Sequence, residues 1–279
     1  MSLILIGLII GFILGLFGAG GTILAVPFLI FGLNMDPKMA IPISMFAVAV
    51  SAIFGSIDGL IKKQIRYRAS MLIAFFAMLI SPFAIWLAQF LPKQPLMILF
   101  AGLLLFVGLH SLMKRSKNED SSSANDSEEL FPCEINQQTL KIKWTNQCAR
   151  ALSLTGGMTG LMSGLLGVGG GFIIVPALQR FSNIKLDNIF PTSLAVIAII
   201  SSYNSLIFLS TGLLNIHYGL LFCMGTTAGM FFSKRLKINN KGLDKGFASF
   251  LILMAVLLVV KAVLFYLLES IYEPSHATI

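Results

Sequence analysis

The chain has 279 residues, of which 56% are hydrophobic and only 11% charged, and its net charge is +8. A soluble domain carries about 25% charged residues, so this composition excludes an ordinary solvated protein. The positive charge does not indicate nucleic-acid binding, because the basic residues form short clusters between apolar runs, a pattern typical of membrane topology. We therefore expect an all-α polytopic membrane protein that lies in the lipid bilayer and does not bind nucleic acid.

Eight apolar elements follow one another, and several are long enough to cross a hydrocarbon layer about 30 Å thick. They cover residues 3–33, 39–61, 69–91, 95–113, 149–181, 189–213, 216–233 and 246–269. Between the fourth and fifth elements lies a segment rich in Ser, Asn, Asp and Glu, which cannot bury enough apolar surface to fold alone. We therefore divide the chain into a first membrane repeat (1–113), a polar linker (114–147) and a second membrane repeat (148–279).

Both halves contain a glycine-rich stretch. Residues 15–29 (GLFGAGGTILAVPFL) and 164–178 (GLLGVGGGFIIVPAL) stand 149 positions apart and are identical at eight of fifteen positions. Pro42 and Ser44 precede Pro191 and Ser193 by the same interval, whereas QIRY (64–67) matches NIHY (215–218) only after a shift of two residues. The recurrence in one order indicates that one membrane unit has been duplicated.

The distribution of basic residues predicts how the elements cross the membrane. If all eight were simple spans, the Lys and Arg residues of the loops would divide almost evenly between the two sides, against the positive-inside rule. If the first and fifth elements instead turn back at their glycines, all of the 20 basic residues except Lys38, Lys93 and the intramembrane Lys261 lie on one side. We therefore predict two inverted repeats, each a glycine-broken re-entrant hairpin plus three transmembrane helices.

This arrangement also predicts the orientation. The basic side, with the linker, faces the cytoplasm, and both termini lie outside, which suits a bacterial inner (plasma) membrane. The hairpins approach the membrane centre from opposite faces, where each starts a half-helix whose free N–H groups and positive dipole end attract an anion. Helix packing is the alternative role for such glycines.

The candidate substrate-binding residues are the glycines of both stretches and the hydroxyl and amide groups expected near them. They are Gly18, Gly20, Gly21, Thr22, Ser44, Gly167, Gly169, Gly170, Gly171, Thr192, Ser193, Ser202 and Asn204. We predict structural hinges at Pro27, Pro42, Pro176 and Pro191, because proline interrupts the hydrogen bonding of a helix.

Other chemistry finds little support. Cys133, Cys148 and Cys223 are scattered and odd in number, so we predict neither a disulfide framework nor a zinc site. The motifs of zinc proteases, serine hydrolases, thiol oxidoreductases and P-loop ATPases are absent from the membrane elements. We therefore expect no enzyme, no ATP-driven pump, no cofactor and no metal.

The repeated G-L-x-G-x-G-G…V-P-x-L pattern, the P-T-S-L-A-V of residues 191–196 and the four-plus-four layout resemble the TauE/SafE sulfite exporter family. The resemblance covers nearly the whole chain apart from the linker. It implies transport of sulfite, organosulfonates and related sulfur-containing anions. Residues 42–45 read P-I-S-M where the family pattern has T-S-L, so the two halves need not bind alike.

Together these features favour a secondary carrier that exports a small anion by alternating access. The alternatives are an anion channel and a non-transporting membrane scaffold. The sequence is compatible with a homo-oligomer but does not fix the oligomeric state.

Overall fold

The part of the chain that the structure describes is almost entirely helical. A computed structural model describes residues 2–17, 22–120, 133, 145–181, 186–235, 249, 251–261 and 263. The first half contributes α1 (Ser2–Phe17), α2 (Ala25–Gly32), α3 (Pro37–Ile61), α4 (Tyr67–Phe90) and α5 (Lys93–Asp120). The second half contributes α6 (Asn146–Leu166), α7 (Gly171–Phe181), α8 (Leu186–Ser210), α9 (Ile216–Arg235) and α10 (Leu251–Lys261). The predicted all-α class is confirmed.

Helix lengths separate spanning helices from half-helices. Three of the described helices are long and apolar enough to cross a membrane: Pro37–Ile61, Tyr67–Phe90 and Asn188–Ser210. The second helix of each predicted hairpin is much shorter. Helix α2 has 8 residues and α7 has 11, or roughly 12 and 17 Å at 1.5 Å per residue. The first and fifth apolar elements are therefore each divided into two helices, as predicted.

The duplication is visible in the helix bounds. The ranges of α3 (Pro37–Ile61) and α8 (Leu186–Ser210) differ by 149 at both ends, and the first residues of α4 and α9, Tyr67 and Ile216, differ by 149 as well. The turns at 62–66 and 211–215 are therefore equally long. The two-residue shift that the QIRY and NIHY match suggested is wrong, because the structure keeps one interval throughout these helices.

Glycines let two pairs of helices approach very closely. A methyl group added to Gly7 of α1 would lie 2.7 Å from the carbonyl oxygen of Phe222 in α9, and one added to Gly156 of α6 would lie 2.6 Å from that of Ile73 in α4. The two contacts are equivalent, because Gly156 stands 149 positions after Gly7 and Phe222 stands 149 positions after Ile73. The next turn repeats the relationship, since Gly11 meets Thr226 and Gly160 meets Ala77. The first helix of each half thus packs on the fourth helix of the other half.

The exposed surface of α4 is apolar. Of the most apolar 18-residue stretch of α4, only 33% is buried, whereas 72% of the corresponding stretch of α3 is buried. Phe75, Leu79, Phe83 and Phe90 are each more than half exposed, an arrangement that costs free energy in water but suits contact with lipid. Helix α3 lies inside the bundle, and α4 has a face directed to the bilayer.

The chain forms two compact units. The first contains α1 to α4 and α6 to α9, and the second contains α5 and α10. Helix α5 continues to Asp120, so the first seven residues of the predicted linker, 114–120, are helical. The rest of the predicted linker, apart from Cys133 and residues 145–147, lies outside the described residues.

Two of the three cysteines are bonded to each other, which corrects the prediction of no disulfide. Cys133 and Cys148 form a disulfide with a Cα–Cα distance of 5.0 Å. The Cys133 N–H also donates to the Phe181 carbonyl at the end of α7, 3.0 Å away, while Cys148 lies in the first turn of α6. Residue 133 is therefore tied to both ends of the second hairpin. The short spacing of 15 residues carried no recognisable motif, so only the fold could pair them.

Candidate functional site

The second glycine stretch makes a sharp turn between α6 and α7. Gly167 caps α6 in the left-handed conformation (φ 69°), and its N–H donates to the Ser163 carbonyl over 2.9 Å. Gly169 and Gly170 also have positive φ values, 69° and 74°. Residues with a Cβ rarely adopt this backbone, so glycine is required at all three positions. Helix α7 begins at Gly171.

The start of α7 has backbone N–H groups that its own helix does not satisfy. The N–H groups of Ile173 and Ile174 already donate to the Gly170 carbonyl, at 3.0 and 3.2 Å. The N–H groups of Gly171 and Phe172 precede them in the first turn, where an α-helix supplies no acceptor. Because the helix dipole places partial positive charge at this end, it favours a negatively charged partner.

Two buried hydroxyl groups flank this turn. The Ser201 Oγ of α8 lies 3.2 Å from the point that a Cβ on Gly169 would occupy, and Thr159 of α6 packs its methyl group against Gly170. Both side chains are 0% exposed. Within the described part of the chain, neither hydroxyl has a hydrogen-bond partner. A buried hydroxyl without a partner is costly, so these two groups indicate a place where a ligand or water is expected.

A second set of polar side chains lies on α4, α6 and α8. Ser81 of α4 donates to the Asn204 side-chain oxygen, and the Asn204 amide nitrogen donates to the Ser163 Oγ at 3.1 Å. All three residues are buried. This network satisfies the polar groups of Asn204 and fixes its side chain between α4 and α6.

Ser44 brings the first half of the chain to the second turn. Its Oγ donates to the Ile41 carbonyl at 2.8 Å and to the Gly167 carbonyl at 3.3 Å. Ile41 also packs against Gly167. Ser44 of the first half therefore contacts the glycine turn of the second half, and its role in substrate binding stays a prediction.

Other predicted residues are occupied elsewhere or not described. Thr192 Oγ1 donates to the Asn188 carbonyl at 2.6 Å and accepts the Arg66 N–H at 3.2 Å, at the start of α4. Ser193 Oγ donates to the Phe190 carbonyl at 2.9 Å. Thr22 is buried, Ser202 is partly exposed, and Gly18, Gly20 and Gly21 lie outside the described residues.

The four prolines lie within helices. Pro27 is buried near the start of α2, and Pro42, Pro176 and Pro191 are inside α3, α7 and α8. Ser44 and Ser193 each follow such a proline by two residues and donate to a carbonyl three residues back. These are local side-chain-to-backbone bonds of the kind that Ser makes inside a helix. The hinge role stays a prediction.

Thr159, Ser163 and Ser201 were not among the predicted residues. The sequence did contain a signal for the first two, because Thr155, Thr159 and Ser163 recur every four residues on the apolar α6 and are all buried. That spacing places them on one helix face. For Ser201, the adjacent Ser202 was predicted instead, since the helical phase of α8 relative to α7 depends on packing.

An open groove of about 200 Å³ lies elsewhere, between α3, α4 and α8. Its lining is mainly apolar, and its serines, Ser56 and Ser70, donate to carbonyls of their own helices. Since it offers few free donors, it does not suit an anion. Among the described residues no group of three His, Cys, Asp or Glu side chains could hold a metal ion.

Apolar helices with lipid-suited faces, two half-helices and a buried glycine turn define a class, namely α-helical integral membrane proteins. A family model described as "Sulfite exporter TauE/SafE" matches residues 3–258. The chain belongs to the TauE/SafE sulfite exporter family.

Relatives agree with this assignment. A "Probable membrane transporter protein" of Xylella fastidiosa strain Temecula1 is 28% identical over 258 residues, 91% of this chain and 92% of its own length. A protein of the same description from Methanocaldococcus jannaschii is 30% identical over 182 residues, 63% of this chain and 60% of its own length. A relative from Bacillus subtilis is 25% identical over 197 residues, 71% of this chain and 74% of its own length. No solved structure matches the chain significantly.

Proposed function

We propose that this membrane transporter is a secondary exporter of small sulfur-containing anions such as sulfite or organosulfonates. The observation that carries the proposal is the turn at Gly167–Gly170, which sets the start of α7 beside buried hydroxyls that have no partner in the described part of the chain. The description of the family supports sulfur oxyanions as the substrate class.

The donors suit such a ligand. A sulfite or sulfonate group carries several oxygen acceptors, and N–H and O–H groups bonded to an anion form short, charge-assisted hydrogen bonds. The positive end of α7 supplies partial charge without a buried Lys or Arg. The ligand can therefore be released again, because no fully charged side chain has to be unpaired.

The membrane potential favours export. Moving one negative charge outward is favourable by about 2.3 kcal/mol per 100 mV when the interior is negative. Outward movement then needs no coupling ion. The working cycle is alternating access, in which the two halves move around a central anion.

The arrangement in the membrane follows from the repeats. Each half makes three crossings (α3 to α5, α8 to α10) and one hairpin, so the second half enters from the opposite face and the repeats are inverted. The reciprocal packing of α1 on α9 and α6 on α4 supports a pseudo-twofold relationship. The charge distribution supports a cytoplasmic linker, external termini and a bacterial inner membrane.

One observation favours the opposite orientation. The Cys133–Cys148 disulfide joins the linker to α6, and disulfides persist in oxidising compartments rather than in the cytosol. A single cysteine at Lys38, in a variant with Cys133, Cys148 and Cys223 replaced by serine, distinguishes the two orientations. Labelling of intact cells by an impermeant maleimide supports a cytoplasmic linker, and labelling only after lysis supports the reverse.

Flux measurements test the function itself. Purified protein in proteoliposomes is loaded with sulfite, thiosulfate, sulfate, sulfoacetate or acetate, and efflux is followed. We expect flux of at least one sulfur oxyanion or sulfonate and little of acetate. Absence of flux for every sulfur compound would contradict the proposal and favour a membrane scaffold. Trans-stimulation, in which external substrate accelerates the efflux of labelled internal substrate, is expected of a carrier and not of a channel.

A further inference from the structure

Five buried polar side chains near the second glycine turn have apolar residues at the equivalent positions of the repeat. The positions Ser81, Thr159, Ser163, Ser201 and Asn204, which lie around the second glycine turn, all carry hydroxyl or amide groups. The positions 149 residues away, in the register that the helix bounds keep, are Met230, Ile10, Leu14, Ala52 and Gly55, and none has a polar side chain. All five apolar positions are buried as well.

The contacts show that these are equivalent places. Near the second glycine stretch, Ser81 of α4 bonds to Asn204 of α8. At the equivalent pair, the side-chain end of Met230 in α9 fills the space over Gly55 in α3. The hydrogen bond of one pair is thus replaced by an apolar contact at the equivalent pair.

From this asymmetry we infer that one small oxyanion binds only at the second-half turn, held by the α7 N-terminus and the Ser201 and Thr159 hydroxyls. This inference rests on the proposed function and makes the site one-sided instead of shared by two opposed half-helices. The reason is the cost of removing the anion's oxygens from water, which only hydrogen-bond donors can offset. The equivalent apolar positions, four in the first half and Met230 in the second, provide none through their side chains.

The remaining polar residues are positioning residues. The carbonyl of Gly167 is held by Ser44, and Asn204 is held by Ser81 and Ser163, so neither Ser44 nor Asn204 is assigned to the ligand. Ser201 and Thr159 differ from them because, within the described residues, their hydroxyls lack any partner. These two are therefore the donors that remain available.

The test uses Ser201→Ala and Thr159→Val with a matched control, Ser233→Ala. Ser233 is also a buried serine whose hydroxyl has no partner in the described chain, but it lies against Gly15 between α1 and α9. Sulfite is the probe, and another transported anion of the panel replaces it if sulfite is not carried. The readouts are KM and maximal rate in proteoliposomes and the anion-dependent rise in melting temperature in detergent.

We expect Ser201→Ala and Thr159→Val each to raise KM by about tenfold, the loss of one hydrogen bond to a charged group, and to reduce the anion-dependent rise in melting temperature. Ser233→Ala should leave both within about twofold, since no charged ligand is expected there. Melting without anion reports folding, and Ser201→Cys, similar in shape with a weak donor, replaces Ser201→Ala if that variant does not fold.

Two failures are distinguishable. If wild-type protein carries and is stabilised by no anion of the panel, the proposed function fails. If the wild type transports an anion and the Ser201 and Thr159 variants behave like Ser233→Ala, the transporter assignment stands and this one-sided site is wrong. An Ala52→Ser variant that lowers KM by itself would also overturn it, because the first half would then contribute to binding.

Discussion

The hydroxyl of Ser44 donates a hydrogen bond to the carbonyl of Gly167, 123 residues away and 3.3 Å distant. This bond joins the helix after the first hairpin to the turn inside the second hairpin. The glycine turn of one half is therefore supported by a side chain of the other half.

Ser44→Ala should lower the melting temperature, because the Gly167 carbonyl loses a buried donor, at a cost of about 1 kcal/mol. Ser193→Ala is the matched control, since Ser193 has the same position in the other half and its hydroxyl donates to a carbonyl of its own helix. Thermal unfolding in detergent measures both. Equal effects of the two substitutions would show that the Gly167 bond contributes nothing.

The closest helix crossing should tolerate no added methyl group. Gly11→Ala or Gly160→Ala places a Cβ against the backbone of Thr226 or Ala77, and overpacking of this kind costs about 1–3 kcal/mol. We expect a lower melting temperature and a smaller yield of monodisperse protein by size-exclusion chromatography.

Gly102→Ala is the control for that experiment, because nothing lies within 4 Å of the added Cβ and the residue is helical. Alanine is favoured over glycine in helices by up to about 1 kcal/mol, so this variant should be unchanged or more stable. A Gly11→Ala variant as stable as Gly102→Ala would contradict the close approach of α1 and α9.

Thiol counting checks the disulfide. In denatured protein prepared without reductant, a maleimide should label only Cys223, whereas after reduction it should label all three cysteines. Mass spectrometry of the intact protein gives the count. Three labels in unreduced protein would mean that Cys133 and Cys148 are not joined.

Loss of that bond should also reduce stability. A crosslink that closes about 15 residues contributes about 3 kcal/mol in the chain-entropy account. Without reductant, we expect Cys148→Ser to melt at a lower temperature than the wild type. When both proteins are reduced, we expect their melting temperatures to be nearly equal. The same shift under both conditions would assign it to the substitution and not to the disulfide.

A double-mutant cycle on Ser81→Ala and Asn204→Ala measures the bond between α4 and α8. Side-chain hydrogen bonds inside membranes couple by about 0.6 kcal/mol on average, so we expect the double variant to be destabilised by less than the sum of the single ones. Strictly additive effects would show that the two side chains do not interact.

Thr192 should act on stability and not on substrate affinity, because its hydroxyl already bonds Asn188 and Arg66. Thr192→Val is expected to lower the melting temperature by the loss of about 1 kcal/mol with KM unchanged, whereas Thr192→Ser, which keeps the hydroxyl, should behave like wild type. A higher KM for Thr192→Val at unchanged stability would restore Thr192 to the binding site, as the sequence predicted.

Sequence alone determined the class, the duplication and the position of the helix breaks. Apolar runs must be buried in lipid or protein, and glycine and proline interrupt helices locally. Both properties can therefore be recognised from the local sequence, without knowledge of tertiary contacts. The break between α6 and α7 falls at Gly167–Gly170 as predicted, and the interval of 149 residues found in the glycine stretch recurs in the helix bounds.

The tertiary structure decided which glycines pack and which turn. Gly7, Gly11, Gly156 and Gly160 allow close helix crossings, while Gly167, Gly169 and Gly170 adopt positive φ. It also buries Ser201 and leaves Ser202 partly exposed, bonds Thr192 to the Arg66 N–H beside a turn, and pairs Cys133 with Cys148. These outcomes depend on the rotation of one helix against another and on contacts between distant residues, which a local pattern does not fix.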